Sequence, residues 1–481
     1  MSRTATIAAL ALVAGAAAAQ PQFTFQRIAG TGTVVPGDPS GSLENVALGS
    51  AALDLGQVAF VGLRSLSAQD IYLFDGNQLG VVALTGGTAP FLSSFRYDAF
   101  DSDVTMEVGA AGATVGFEAL DFSDPNSGRE VVVTQTEGVA TNRADSISTV
   151  SPSNGAVFAF IDEPAISGGS VVFRGETIDP ITFDIFDGIY TDLTGPLTTV
   201  VDENTPVPGL PEFGFTSFDQ NVAFDDTFGI EARFSNGPDV GTMILTVTPD
   251  GVITDIANSI NTPNPSTGVR FGDVDGPDVS GSHIVFGGSD IDGAPGIYAD
   301  FGAGLIIIAD LNTPVPGQLA AEFSGFSLDD LSIEGRRIVF RGIFSNGTED
   351  GVYLWDDGIL SRVVDSTQAI GGQELSILGV RQTGAISGDQ IAFGAGFDDG
   401  STAIYLATSS SSCSAADLAG PFGVISQADV AEFVERFFAN DPGVAALAAP
   451  TDVVSQTDVL AFVELFFVGC PSAVTIPIDF D

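Results

Sequence analysis

Residues 327–365 read SLDDLSIEGRRIVFRGIFSNGTEDGVYLWDDGILSRVVD. Four runs rich in β-branched and aromatic residues lie inside: 327–333 (SLDDLSI), 337–342 (RIVFRG), 351–355 (GVYLW) and 359–365 (ILSRVVD). Gly335, Asn346-Gly347 and Asp357-Gly358 separate them as turn formers, so the stretch spells four short antiparallel strands. The unit recurs along the chain. An apolar pair ending in phenylalanine returns at Phe60, Phe117, Phe173, Phe234, Phe286, Phe340 and Phe393, at separations of 57, 56, 61, 52, 54 and 53 residues. A period of about 50 with four strands per copy predicts a mainly β chain folded as a seven-bladed β-propeller over residues 20–407.

Further features repeat in step. Tyr72, Tyr190, Tyr298, Tyr353 and Tyr405 mark the third strand, with residues 131–133 and 243–247 in that slot of the second and fourth copies. An aromatic that recurs once per blade is packing between layers rather than ligand contact. The loop 204–209 (NTPVPG) returns at 312–317, and 261–265 (NTPNP) is a weaker copy. Proline cannot donate to a ladder, so these segments leave the sheet and connect blades. The array is incomplete at both ends in complementary ways. The seventh copy runs out after 403–406, without a fourth strand, while 23–29 (FTFQRIA) is a fourth strand with no blade before it. Pairing the two would close the ring and remove its exposed edges.

Composition narrows the function. The 481 residues carry 62 acidic and 15 basic groups, a formal charge of −47, and every basic residue is arginine. Lysine Schiff-base chemistry is thereby excluded, and a basic footprint for nucleic acid or an anionic membrane is missing. Residues 1–19 read as a signal peptide: Arg3, a small apolar run, and Ala17-Ala18-Ala19 before Gln20. With it removed no segment is long and apolar enough to span a membrane, so an exported protein is expected, secreted or held at the cell surface or in the periplasm.

After a serine-rich linker, 408–412, the pattern turns helical. Residues 423–438 (GVISQADVAEFVERFF) match 452–467 (DVVSQTDVLAFVELFF). Val430, Phe433, Val434, Phe437 and Phe438 form one helical face, which Val459, Phe462, Val463, Phe466 and Phe467 repeat. Ser426 with Asp429, and Ser455 with Asp458, are capping boxes. Cys413 and Cys470 bracket this pair, and in an oxidising compartment a disulfide is the reading, a metal pair its competitor. Residues 472–481 are left as a tail.

Two resemblances follow from these residues. The core at 56–60 (GQVAF) and its relatives resemble the tandem-repeat exported proteins described by an NxxGxxAF motif, with Leu53 at the asparagine position. That likeness covers about 22–407 and implies export with no known catalytic activity. Residues 413–471 resemble the GC-type dockerin modules that end many exported proteins. This implies attachment to a cohesin-like or other cell-surface partner, and calcium held in EF-hand-like loops. Here Asp417 and Asp429 stand at candidate ligand positions, but Ala419 and Pro421 lie between them and Ala446 replaces the first aspartate of the second copy. A calcium loop needs six or more oxygens, so Asp429 and Asp458 read as helix caps and the module as a degenerate dockerin.

Other chemistry is sparse. His283 is the single histidine and adjoins the fifth phenylalanine run, a place for packing rather than a triad. Asp273-Val274-Asp275-Gly276 and Asp290-Ile291-Asp292-Gly293 resemble calcium loops but lack the distal glutamate, so they read as turns, with Asp290 and Asp292 the better calcium candidates. No cofactor is implied. The expectation is a non-catalytic binding or surface-structural protein of unknown ligand. The alternative is a polysaccharide hydrolase using paired carboxylates in the propeller's central pocket.

Overall fold

The computed structural model describes residues 23–409, save 66–67, 93–94, 124–127, 163, 180, 220–222, 226 and 319–320. The signal segment and the whole of 413–471, with Cys413, Cys470, Asp417, Asp429 and Asp458, lie outside the described residues.

Seven antiparallel blades follow one another, and no α-helix occurs among the described residues. Blade 6 shows the plan: Phe323–Glu334, Arg337–Phe344, Glu349–Asp356 and Ile359–Asp365, each strand paired to the next. Its second and third strands are apolar on both faces because each face meets a neighbouring blade; Ile338, Val339, Phe340, Val352 and Tyr353 are all fully buried. Gly335 (φ +60°) takes the tight turn between the first two strands, a conformation disfavoured for other residues.

The ring closes as the complementary ends require. Phe23–Gly30 is the fourth strand of blade 7, pairing with Thr402–Ser409 in a register that sets Arg27 opposite Tyr405. Phe25 adds an edge-to-face contact on Phe393, ring centres 6.0 Å apart.

The core is distributed rather than central. Among the described residues seven hydrophobic clusters are present, one for each seam between neighbouring blades. Inside the blades the repeated phenylalanine and tyrosine meet as register partners: Phe60–Tyr72, Phe173–Tyr190, Phe286–Tyr298, Phe340–Tyr353 and Phe393–Tyr405, ring centres 5.6 to 6.0 Å apart. Blade 4 corrects one expectation. Its counterpart of these phenylalanines is Ile230, opposite Leu245, not Phe234. Phe234 lies four residues further along the strand, opposite Gly241 and against Phe213. With Ile230 in place, the uneven separations of 61 and 52 become 57 and 56.

The proline loops are connectors. Asp202 and Asp310 end the fourth strands of blades 3 and 5, and their N–H groups donate to Thr205 Oγ1 (3.0 Å) and Thr313 Oγ1 (2.9 Å). Val207 and Val315 then pack into the seam clusters.

Candidate functional site

The first strand of each blade faces the axis. The halves that run into the turn before the second strand touch one another in a closed ring, blade 1 through blade 7 and back to blade 1. The first strands are also interrupted midway: 46 to 52 in blade 1, 326 to 331 in blade 6 and 379 to 386 in blade 7 are the clearest gaps in pairing. These breaks meet across the axis. Gln382 of blade 7 donates its side-chain amide to the Pro277 carbonyl of blade 5 (3.3 Å). Gly276 passes so close to Leu328 of blade 6 that a Cβ there would collide with the Leu328 oxygen.

Beneath the breaks lies an axial cavity of about 150 Å3, to which every blade contributes: Ala52, Thr105, Ile166, Phe224, Val279, Ile333 and Ile386 in turn. This is below the range of about 300–1,000 Å3 that small-molecule sites occupy. Its carboxylates are already engaged. Asp278 accepts the Ile333 N–H (2.8 Å) and the Ser332 hydroxyl (2.9 Å). Burial pushes its carboxyl up to about 7 against those bonds and the nearby Arg381 charge.

At the same end of the axis a polar ring runs from blade to blade. A polar residue at or near the end of the first strand accepts backbone N–H from the corresponding stretch of the next blade. Asp54 takes Val108 (2.7 Å), Glu107 takes Gly168 and Gly169 (2.9 Å each) and Asp225 takes Gly281 (2.9 Å). Ser280 takes Gly335 (2.9 Å), Glu334 takes Gly388 (2.7 Å) and Ser387 takes Leu55 (3.2 Å). Six of the seven junctions are clasped in this way among the described residues. Burial raises the Glu334 carboxyl, the Gly388 N–H and Arg337 lower it, and Asp54 and Asp225 raise it again from other blades.

One residue past the repeated phenylalanine, the second strand carries a charged side chain in several blades; the arginines pair within their own blade, and Glu231 reaches into the next. Arginine fills this position in blades 3 and 6. Arg174 pairs with Asp162, Glu176 and Asp187, and Arg341 with Asp330 (3.1 Å) and Asp350 (2.8 Å). Blade 4 has Glu231 instead, 4% exposed and hydrogen-bonded to Asp275 of blade 5. Burial, the Asp275 bond and the charges of Asp275 and Asp219 hold Glu231 far above the usual carboxylate range. Its Oε2 also accepts the Gly276 N–H (3.4 Å). This is a carboxyl pair in direct contact across a seam, with Glu231 buried and Asp275 half-buried.

A second cavity, about 420 Å3, opens between blades 1 and 2 at their turn ends. Gln57, Asp75, Gln78, Gln135 and Glu137 rim it, over a floor that includes Leu73, Val82 and Val115.

The residues singled out from sequence fall elsewhere. Asp290 and Asp292 form a turn in which Asp290 Oδ1 accepts the N–H groups of Asp292 (2.9 Å) and Ala294 (3.0 Å). No group of three or more His, Cys, Asp or Glu side chains suited to a metal occurs among the described residues. His283 is held in the seam between blades 5 and 6, Nδ1 bonded to the Gly335 carbonyl (2.8 Å) and the ring edge-on to Phe301. Sequence reasoning passed over the clasps, Glu231 and the blade 1–blade 2 cleft. The clasps had a signal, a polar side chain at or near the end of the first strand in each copy; the cleft had none until the repeats were aligned by register.

No protein-family profile and no curated protein matches the chain. Solved structures similar to it include the β-propeller domain of the Trilobed protease from Pyrococcus furiosus, at 10% identity and a TM-score of 0.45, covering 75% of this chain and 95% of that one. Polysaccharide lyase Uly1 follows at 10% and 0.42, covering 81% and 97%. Aleuria aurantia lectin, solved with alpha-methyl-L-fucoside, stands at 12% and 0.33, covering 67% and 96%. These likenesses concern architecture alone.

Proposed function

We propose that this chain is an exported, non-catalytic binding or surface-structural protein. The dockerin-like segment 413–471 attaches the propeller to a cohesin-like or other cell-surface partner, with calcium playing little part. One observation carries the non-catalytic reading: the axial carboxylates are committed to the fold. Asp225, Asp278 and Glu334 each accept backbone N–H groups, and Glu231 lies against Asp275. Glycoside hydrolysis needs two accessible carboxyl groups about 5–10 Å apart, flanking the bond to be cut. A pair in direct contact leaves no room for that bond. The polysaccharide-hydrolase alternative has less support for the same reason.

The test joins a glycan array to a turnover screen of the same glycans with the full chain. Binding without turnover is the expected result. Robust hydrolysis abolished by Asp225→Asn or Asp278→Asn would overturn the reading.

A further inference from the structure

The seven seams serve as internal controls for one another, because register fixes which residues correspond. Three residues past the tyrosine slot of the leading blade stand Asp75 in blade 1, Leu193 in blade 3 and Phe301 in blade 5. Two residues past the same slot in the following blade stand Gln135, Val247 and Trp355. Between blades 5 and 6 these positions are sealed. Phe301 stacks on Trp355 with ring centres 5.6 Å apart and planes 9° from parallel, and the Arg336 guanidinium lies 4.4 Å over the Phe301 ring. Between blades 3 and 4 Leu193 and Val247 share one hydrophobic cluster. Between blades 1 and 2 the equivalents of Phe301, Trp355 and Arg336 are Asp75, Gln135 and Ala113, which are smaller or polar. The cavity of about 420 Å3 is the space left.

The chemistry of that space is specific. Asp75 Oδ1 is engaged by the N–H groups of Asn77 (2.9 Å) and Gln78 (2.8 Å), which fixes its hairpin. Among the described residues no protein group bonds the side-chain amides of Gln57 or Gln135, or the Glu137 carboxylate, although Gln57 and Gln135 are half-buried. Polar groups in an open cleft that no protein group engages are free to hold water or a ligand that takes its place. The depression between blades 6 and 7 differs in this respect. There Ser366 donates to Glu349 (2.7 Å), and Gln368 accepts the Asp365 N–H (3.0 Å).

We propose that the open seam between blades 1 and 2 is a binding subsite for a neutral saccharide, one or a few units of an uncharged glycan. This rests on the binding reading above and locates it. Each amide offers a donor pair and an acceptor, the complement of a ring hydroxyl that both donates and accepts. The carboxylates of Asp75 and Glu137 accept further hydroxyl protons, and the floor of Leu73, Val82 and Val115 suits the C–H face of a sugar ring. No cation lines the cleft, so uronate, sulfate and phosphate groups meet only carboxylates there. The volume lies within the range of about 300–1,000 Å3 common for small ligands.

The experiment titrates the full chain with maltose, cellobiose and laminaribiose, and with digalacturonate as the anionic control, followed by saturation-transfer NMR and calorimetry. At least one neutral disaccharide should bind and digalacturonate should not. Gln135→Trp, which copies the sealed seam, and Gln57→Leu, which removes one amide, should each weaken binding by about tenfold or more. Trp355→Phe, in the sealed seam, should leave it unchanged. Equal binding by wild type and both cleft variants, or binding of digalacturonate as well as the neutral sugars, would overturn the assignment. If the glycan array shows binding that survives both variants, the subsite falls and the binding reading stands. A wild type that binds no glycan on the array and none of the three disaccharides overturns both.

Discussion

The seams that lead into blade 6 and into blade 2 have the same backbone plan and opposite fillings. Between blades 5 and 6, Phe301, Trp355 and Arg336 stack into a closed layer. Between blades 1 and 2, Asp75, Gln135 and Ala113 occupy the same places and leave a cavity. In a propeller the blades already bury two faces of every inner strand, so closure of the outer seam is optional for the fold. A seam that is not needed for stability is free to diverge, and the side chains that fail to fill it show what it is shaped for.

That contrast predicts unequal responses to mutation. Trp355→Ala should have the largest effect, about 3–5 kcal/mol of stability in urea unfolding, because it deletes a 7%-exposed indole and unstacks Phe301. A loss under about 1 kcal/mol would mean that the sealed seam contributes little and that the comparison is empty.

Glu231 tests a third way of closing a seam, by a retained proton. Burial and the bond to Asp275 raise its carboxyl above the ordinary value of 4.5. The folded protein therefore holds a proton that the unfolded chain releases above that pH. Its stabilising contribution is complete below about pH 4.5 and is lost progressively as pH rises, at up to about 1.4 kcal/mol per pH unit. Glu231→Gln removes this linkage, so the variant should be favoured relative to wild type at alkaline pH and show a flatter profile. Urea midpoints between about pH 5 and 9 check it; parallel profiles for the two proteins would count against the retained proton.

The clasps at the axis are common to open and sealed seams, so breaking one should cost the same modest amount wherever it lies. Glu334→Ala, which frees the Gly388 N–H, should lower stability by about 1–2 kcal/mol. Asp54→Ala, at the edge of the open seam, should do likewise by freeing Val108. A twofold or greater difference between them would show that the seams are not independent of the ring. Smallest of all should be Gln135→Leu, within about 0.5 kcal/mol of wild type, since its amide supports no protein contact.

Much of this architecture was legible in the chain. The repeat spacing, the turn glycines and the mismatched ends predict seven blades and the closing role of 23–29, because a blade can satisfy its backbone in only one way. Blade 4 escaped a phenylalanine search because its anchor is aliphatic: an Ile230–Leu245 pair fills the layer that Phe and Tyr fill elsewhere, and Phe234 mimics the motif four residues late. The acidic turns at Asp290 and Asp292 resembled ion loops in sequence, since the same Asx geometry serves a turn without any ion. The cleft was not legible, because its mark is a contrast between residues about 220 positions apart that only the register aligns, Gln135 with Trp355.

The most direct test of the central claim is hydrogen–deuterium exchange of the full chain with and without a saturating neutral disaccharide from the binding experiment. The account predicts added protection in peptides covering residues 73–82, 112–115 and 135–138, with the axial residues 278–280, 333–334 and 383–386 unchanged. Protection confined to the axial peptides would contradict it and return the site to the centre of the ring.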